Sequence, residues 1–450
     1  MELPLSALQQ RIWFLCTAYT GDASPIIFLV WRIRGPLDVD AWTRAVNSVV
    51  DRHESLRTSF RQRNAGPVQV VAPPTGIVTD VIDVTDVPED EREKRTDELV
   101  VARTHALLDL VAGPLVRSAL FRLADDHHVW CFTMHHLLAD GTSLRILTRE
   151  MRAFYESSVE GKPVDLPELP VQYGDFTVWQ QTVQREAEEV DLRYWTQHLA
   201  GIEPLNLPTD FPRPDEKGVS RAEIYHPMSG DLARSVAQLA RSNRCTPFMV
   251  LLAGIHTLLS ALSGQDDICV GSPVAGRTGI ELESVIGLFS NTIALRGDVS
   301  GDPTFRELVL RTRPVVIEAL RRQNVPFGRI VTALDLPREP NRTQVFQVIF
   351  NMRTDNEQKQ PELAGLWIED FPHGHPKTLH DLVVDIWRLD GNMLRTGFRY
   401  DTALFTPETV QGMAQRYERL LATVVDDPDI RLDALKASVL RAPATGAPHG

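Results

Sequence analysis

The stretch His135-His136-Leu137-Leu138-Ala139-Asp140-Gly141 holds the residues best suited to chemistry. Histidine is the side chain whose ordinary pKa lies near neutral, so it can take up and return a proton in the course of a reaction. The segment before the pair, Val129-Trp130-Cys131-Phe132-Thr133-Met134, is β-branched, aromatic and apolar, and reads as a buried strand. Side chains alternate across a strand. His135 and His136 are therefore expected to point to opposite sides, and only one can face a given cavity. Asp140-Gly141 is a turn signal, after which Leu144, Leu147, Met151 and Phe154 recur at helical spacing. A short carboxylate at such a turn can fix a backbone group or a distant arginine, and a glycine lets a substrate approach the chain. His135 and Asp140 are expected to be structural; the motifs described below select His136 as the histidine that does chemistry.

The elements that must position this turn are legible as a mixture of strands and helices. Ser6 with Gln9 forms a capping-box pattern, and Leu5, Leu8, Ile12 and Leu15 follow at helical spacing. Residues 26–33 read as a strand and 38–52 as an amphipathic helix with Ala41, Trp42, Ala45, Val49 and Val50 inward. Short strands are expected near 57–62, 68–72 and 77–84. A long helix is expected over 88–110, opened by Glu89-Asp90-Glu91 where the helix dipole favours acids. Residues 115–123 and 129–134 read as a strand pair turning at 124–128. Prolines at 163, 167 and 170, and a proline- and acid-rich stretch over 205–217, place a crossover between two lobes at about 160–220. Beyond it, helices are expected at 229–244, 247–263, 304–322 and 407–426. Strands are expected at 267–272, 291–296, 344–351, 365–369, 382–388 and 392–400. The order predicts an α+β fold, not a strict strand–helix alternation. No short repeat is evident, and the composition of 441–450 predicts a disordered tail.

Composition narrows the function. The 450 residues, 43% hydrophobic, suffice for two to three domains. A net charge of −13 argues against a nucleic-acid binder. Cys16, Cys131, Cys245 and Cys269 lie far apart and fit neither a zinc spacing nor a disulfide framework; they read as reduced thiols of a cytoplasmic protein. Gln9, Gln10 and Arg11 interrupt the first apolar run, so it is no signal peptide. No run approaches the ~18 apolar residues of a membrane span. His373, His375 and His380 fall in a Pro- and Gly-containing loop without partners at a metal-site spacing, so no metal is expected.

Several separated stretches then agree with one another. Residues 4–15 (Pro-Leu-Ser-Ala-Leu-Gln-Gln-Arg-Ile-Trp-Phe-Leu), 52–60 (Arg-His-Glu-Ser-Leu-Arg-Thr-Ser-Phe) and 134–143 around the histidines are three of them. Others are 173–179 (Tyr-Gly-Asp-Phe-Thr-Val-Trp), 286–292 (Ile-Gly-Leu-Phe-Ser-Asn-Thr) with Arg296, 324–327 (Asn-Val-Pro-Phe) and, more loosely, 341–350. In this order they resemble the motifs of the condensation domains of nonribosomal peptide synthetases. The resemblance implies two lobes similar to chloramphenicol acetyltransferase, residues 1–175 and 176–440, meeting in a V with a tunnel between them. It implies amide or ester formation from an acyl or aminoacyl thioester on the phosphopantetheine arm of a carrier protein, with an amine or alcohol as nucleophile. No cofactor or metal is implied.

Carried over residue by residue, His136 is the histidine of the reacting centre. Gly141 lies beside the thioester at a helix N-terminus, where backbone N–H groups favour developing negative charge. Asp140 pairs with an arginine of the second lobe, for which Arg277 is the candidate. His53 and Arg57 read as structural hydrogen-bonders, and Tyr173 and Trp179 as packing aromatics. Asn291 fits either a tunnel wall or a capped strand end. One departure is the order Asn341-Arg342, with Glu339 close by, where the family has the arginine first. Because Met1 leads almost directly into the first motif and no adenylation or carrier segment follows, a free-standing enzyme that meets its carrier in trans is expected. An excised domain of a larger synthetase, an epimerisation or wax-ester type relative, and a docking domain that recruits a tailoring enzyme are the alternatives.

Overall fold

The structure, a computed structural model, describes residues 1–18, 25–64, 66–183, 185–215, 221–337, 339, 341–354, 362–371, 380–388 and 393–441. Along the chain run β1 (Glu2–Pro4), α1 (Ala7–Ala18), β2 (Ile26–Arg34), α2 (Val39–Arg52), β3 (Thr58–Arg63), β4 (Gly66–Val71), β5 (Thr79–Asp83), α3 (Glu89–Thr104), β6 (Val116–Ala124), β7 (His127–His135), α4 (Gly141–Glu160), α5 (Tyr173–Thr182) and α6 (Arg185–His198). There follow β8 (Arg221–Met228), α7 (Gly230–Ser242), α8 (Pro247–Ser263), β9 (Asp267–Val274), β10 (Asn291–Asp298), α9 (Phe305–Arg321), α10 (Phe327–Leu334), β11 (Val348–Thr354), β12 (Trp367–Asp370), β13 (Leu382–Arg388), β14 (Leu394–Asp401), α11 (Pro407–Asp426) and α12 (Leu432–Arg441). The fold is α+β, as expected.

The chain forms two compact units. The first holds residues 1–189, 275–290 and 359–374; the second holds the remainder. This corrects the expected cut at 175/176. The chain returns twice to the first unit. β12 pairs antiparallel with β2 there, and Val285 to Phe289 are buried there against Tyr173 and Ile286 against the Trp42 core. The tail expected over 441–450 lies outside the described residues from 442 onward, as do His373 and His375.

The first unit is built on a five-stranded sheet of order β12-β2-β7-β6-β5, beside a small sheet β1-β4-β3. Asp38 caps α2 by accepting from Ala41 N at 2.8 Å. Ala41, Trp42, Ala45, Val46, Val49 and Val50 then form its buried stripe. Trp42 meets Trp31 of β2, Trp130 of β7 and Tyr155 of α4, with ring centroids 6.3, 5.2 and 5.4 Å away. This aromatic cluster sets α2 and α4 on the strand that carries the histidines.

The second unit has a six-stranded sheet of order β10-β9-β11-β13-β14-β8. Its α8 is buried almost all round, as its continuous apolar sequence requires. The two sheets share a pattern that the sequence did not reveal. In the first, β2 pairs antiparallel with β7, β7 antiparallel with β6, and β6 parallel with β5. In the second, β8, β14, β13 and β11 repeat those relations in the same order.

Where elements differ from expectation, the reasons are local. α3 ends at Thr104 instead of about 110, and at the expected end Asp109 Oδ1 accepts from Val111 N and Ala112 N, closing a turn in place of a helix. α5 and α6 were unforeseen in the expected crossover. The start of α5 is a Gln172/Asp175 capping box, without the usual Ser or Thr. β8 was also unforeseen; it is the sheet's edge strand, where Pro227 is tolerated. β11 starts at Val348, later than expected. Gln344 donates to Leu336 O and Gln347 to Thr343 O, holding the preceding residues in turns.

Trp42 is fully buried. We expect Trp42→Ala to destabilise the first unit by about 3–5 kcal/mol, the usual cost of an emptied aromatic site. The shift in denaturant midpoint measures it, and a change below about 1 kcal/mol would show that α2 and α4 do not depend on this cluster.

Candidate active site

The chemistry-bearing turn begins where β7 runs out. His135 is its last residue, and its N–H donates to Leu115 O. His136 already lies in the turn, so alternation along a strand does not itself orient it; its backbone N–H donates to Pro25 O at 2.7 Å. The two rings are nonetheless held differently.

His135 is completely buried. Its Nδ1 accepts from Leu137 N at 3.1 Å, and a backbone N–H can only donate. The ring proton therefore sits on Nε2, which lies 3.9 Å from Cys16 Sγ. Burial, aided by the neighbouring His136, pushes the His135 pKa down to about 4. This ring is a neutral brace inside the turn.

His136 is half-buried. Its Nδ1 lies 2.7 Å from Ala139 O, and a carbonyl can only accept, so the proton is on Nδ1. Nε2 then carries a lone pair and has no hydrogen-bond partner among the described residues. It is free to take a proton or to accept a hydrogen bond.

Asp140 ends the turn and caps α4. Its carboxylate accepts from Ser143 N at 2.9 Å and Ser143 Oγ at 2.8 Å. It also accepts from Phe289 N at 3.0 Å and Ser290 N at 2.9 Å. Arg277 closes the shell as a fork, Nη1 to Oδ2 at 2.9 Å and Nη2 to Oδ1 at 3.1 Å. Both side chains are buried, with 0% of Asp140 and 4% of Arg277 exposed. Arg277 further donates to Ser143 Oγ and Val285 O, and its guanidinium lies 4.4 Å from the Phe289 ring centre. The expected pair of Asp140 with Arg277 is thus present. It is not a pair between lobes, because Arg277 rides on the 275–290 segment that belongs to the first unit.

Gly141 opens α4. A side chain there would meet nothing within 4 Å, so neither packing nor backbone conformation demands glycine. The position faces open space beside the turn. Gly287 is the opposite case. A Cβ on it would fall 2.1 Å from the Tyr173 ring, so the close approach of these two segments needs glycine. Tyr173 OH lies 2.9 Å from both Leu288 O and Ser6 Oγ, and burial pushes its pKa up.

The other sequence candidates are each held by neighbours within their own unit. Gln9, partner of Ser6 in the capping box, donates Nε2–H to Leu137 O at 3.0 Å and so ties α1 to the turn. His53 is buried against Glu150, and Arg57 donates to Asp51 O and Ala72 O. Trp179 is 41% exposed, leaning on Phe176. Asn291 is engaged by the 323–327 turn through Gln323 O, Val325 O and Phe327 N. Arg342 pairs with Glu339 and reaches Leu205 O. Among the described residues no group of His, Cys, Asp or Glu could hold a metal. Sequence reasoning missed Ser143 and the N–H groups of Phe289 and Ser290. The motif over 286–292 was visible, but nothing in it announced Asp140 as its partner.

The second unit builds the same turn without histidine. Asp401 ends β14, accepts from Ala403 N at 3.0 Å through its side chain, and accepts from Leu404 N through its carbonyl. Thr406 then caps α11 from Thr409 N. These match His135, Leu137, Leu138, Asp140 and Ser143 place for place. Thr402 stands where the first unit has His136, and Pro407 where it has Gly141.

Two outcomes follow. Asp140→Ala or Arg277→Ala leaves a buried charge without its partner and should destabilise the fold by about 3–5 kcal/mol. Urea unfolding reads this, and losses under about 1 kcal/mol for both would remove the pair from the stability account. His135 is neutral when folded and takes up a proton below about 6.5 when unfolded. Its contribution is therefore full above that pH and falls as pH drops toward about 4, by on the order of 3 kcal/mol. His135→Asn keeps an acceptor for Leu137 N, as Asp401 does for Ala403 N, and does not titrate. Its unfolding midpoint should fall less than wild type between pH 7 and pH 5; an equal fall would clear His135 of the effect.

Comparison with known proteins identifies the family. The Condensation domain family model matches residues 1–438. A linear gramicidin synthase protein of Brevibacillus parabrevis is 39% identical over 432 residues, which is 95% of this chain and 8% of that protein. Chondramide synthase cmdD of Chondromyces crocatus is 34% identical over 431 residues, 96% of this chain and 11% of that protein. The chain thus spans a small part of the curated relatives it matches. Among solved structures, the X-domain from teicoplanin biosynthesis, also solved in complex with OxyB, superposes with a TM-score of 0.84 at 28% identity, covering 96% of both chains. SgcC5 from Streptomyces globisporus, in complex with a naphthyl ethanediol and sucrose, gives 0.73 at 27% identity over 95% of this chain and 100% of its own. The chain belongs to the condensation-domain family of nonribosomal peptide synthesis.

Proposed function

We propose that the chain is a catalytically competent condensation domain, joining a carrier-bound acyl or aminoacyl thioester to an amine or alcohol. The observation that carries this is the free Nε2 of His136, whose Nδ1 proton is committed to Ala139 O. The nucleophile's N–H or O–H donates to Nε2, which orients it and accepts its proton as the new bond forms. Attack converts the thioester carbonyl to an oxyanion. The Gly141 N–H, at the start of the α4 dipole, is a donor for that charge, and the open space at Gly141 leaves room for the thioester. Collapse expels the pantetheine thiolate, which takes back the proton. Asp140 and Arg277 hold the turn and do not touch the reacting atoms.

A thioester is already activated, so alignment and charge stabilisation suffice and ATP has no part. The donor partner is a phosphopantetheinylated carrier protein, and the site of action is the cytoplasm. The diol bound to SgcC5 keeps an alcohol nucleophile in view beside an amine. The second reading is a docking module, favoured by the likeness to the X-domain solved with OxyB. The intact His136 and Gly141 count against it, because docking relatives tend to lose one or the other.

A panel of aminoacyl and fatty-acyl thioesters on carrier protein, mixed with amines and alcohols and read by mass spectrometry, decides between them. We expect product from the thioester and none from free acid with ATP. His136→Ala should cost at least about 100-fold in rate with an unchanged unfolding midpoint, since a general base contributes roughly 10²–10⁴. Thr402 in the matching turn of the second unit indicates that the fold does not need a histidine there. No product from any wild-type pairing would leave the docking reading; retention of more than a tenth of the rate would remove His136 from the chemistry.

A further inference from the structure

We infer that His53, held by Glu150, is a positioning residue for the acyl-transfer site; the inference rests on the reading just given. His53 and Glu150 are fully buried; His53 lies far from His136 in sequence, and Glu150 sits on α4, which starts at Gly141. His53 Nε2 is 2.8 Å from Glu150 Oε2, and His53 Nδ1 accepts from Ile286 N at 3.4 Å. The backbone N–H can only donate, so Nδ1 holds the lone pair and Nε2 the proton, which goes to the Glu150 carboxylate. Arg52 Nε, 3.2 Å from the same carboxylate oxygen, holds Glu150 in place.

Ile286 is a link in a segment whose backbone is held at nearly every residue. Val285 O accepts from Arg277, Gly287 N donates to Ser143 Oγ, Leu288 O accepts from Tyr173, and Phe289 N and Ser290 N donate to Asp140. Asp140 directly follows Ala139, whose carbonyl sets the tautomer of His136. Buried polar contacts thus run from Glu150 through His53 and the 285–290 segment to Asp140, and the backbone at Ala139 joins Asp140 to the hydrogen bond of His136. The Asp140 end has many donors. At Ile286 N the single acceptor among the described residues is His53 Nδ1. Losing it leaves a buried N–H without a partner, and the segment moves to satisfy that group, taking the Asp140 ligands with it.

The test compares His53→Leu, which fills the space without an acceptor, with His53→Gln, whose amide can accept from Ile286 N and donate to Glu150. Three quantities are read on the full chain: unfolding midpoint, amide hydrogen exchange over residues 285–290, and steady-state kinetics with the carrier-bound thioester that turns over fastest in wild type. We expect His53→Leu to speed exchange in the segment and lower kcat at least tenfold, with KM for the carrier changed less than twofold. His53→Gln should restore both exchange and kcat to within about threefold of wild type. A purely structural role would lower the midpoint of either variant without this split. His53→Leu with wild-type kcat, or His53→Gln as slow as His53→Leu, overturns the assignment, and so does a His53→Leu chain whose segment exchanges no faster. If wild type forms no product, the acyl-transfer reading falls. The exchange comparison then decides by itself: protection lost in His53→Leu and regained in His53→Gln supports the hold on 285–290, and unchanged protection ends it.

Discussion

The site depends on one buried carboxylate. Asp140 has no contact with water, and its oxygens are met by backbone N–H groups from two segments, a serine hydroxyl and a bidentate guanidinium. Burying a carboxylate costs several kcal/mol unless such donors replace its hydration. Here the same donors join the start of α4, the 285–290 segment and Arg277 into one piece. The carboxylate thus caps a helix and also recruits a segment distant in sequence. Ala139 precedes it, so the hydrogen bond that fixes the His136 tautomer inherits that rigidity.

The matching turn in the second unit separates scaffold from chemistry. The strand end, the side-chain brace to the backbone two residues on and the helix cap recur with Asp401 and Thr406. The local hydrogen-bond pattern therefore suffices to make the turn. Beyond the brace itself, His135 against Asp401, the first unit's copy is marked by a histidine at 136, a glycine at 141 and a charged cap that collects ligands from elsewhere. Thr406 receives instead a neighbouring acid, Asp210, which accepts from its backbone N–H at 2.7 Å. The duplication lies in strand order and turn geometry, and side-chain identities have diverged past recognition by sequence.

The sequence was most legible where one period or one motif controls the outcome. The buried stripe of α2, the β6–β7 hairpin and the junction at Gly141 depend on local patterning, and all lie within a few residues of expectation. The Asp140–Arg277 contact came from resemblance, since nothing in Gly276-Arg277 itself points to a carboxylate 137 residues away. What remained hidden is of two kinds. β8 and α6 are polar for their type, and neighbouring elements stabilise them more than their own periodicity does. The second kind is the membership of 275–290 and 359–374 in the first unit. That follows from individual backbone donors finding buried acceptors, and no alternation or heptad encodes it.

Magnitudes explain why so much of the structure serves rigidity. A general base contributes roughly 10²–10⁴ to an acyl transfer, whereas holding two reactants in attack geometry contributes effective molarities of ~10⁵–10⁸ M. An amine attacking a thioester needs little help with deprotonation before the bond begins to form. It needs an acceptor at a fixed point and a carbonyl aligned against a donor. In the proposed reaction His136 supplies the first only while Ala139 O holds its ring, and Gly141 the second only while Asp140 holds the end of α4. The adjacent His135 is kept neutral by burial so that its Nδ1 stays an acceptor for Leu137 N. Two neighbouring histidines thus have opposite demands made on them, one sealed as a brace and one left with a lone pair exposed. The turn meets both because each ring has one nitrogen committed to the backbone.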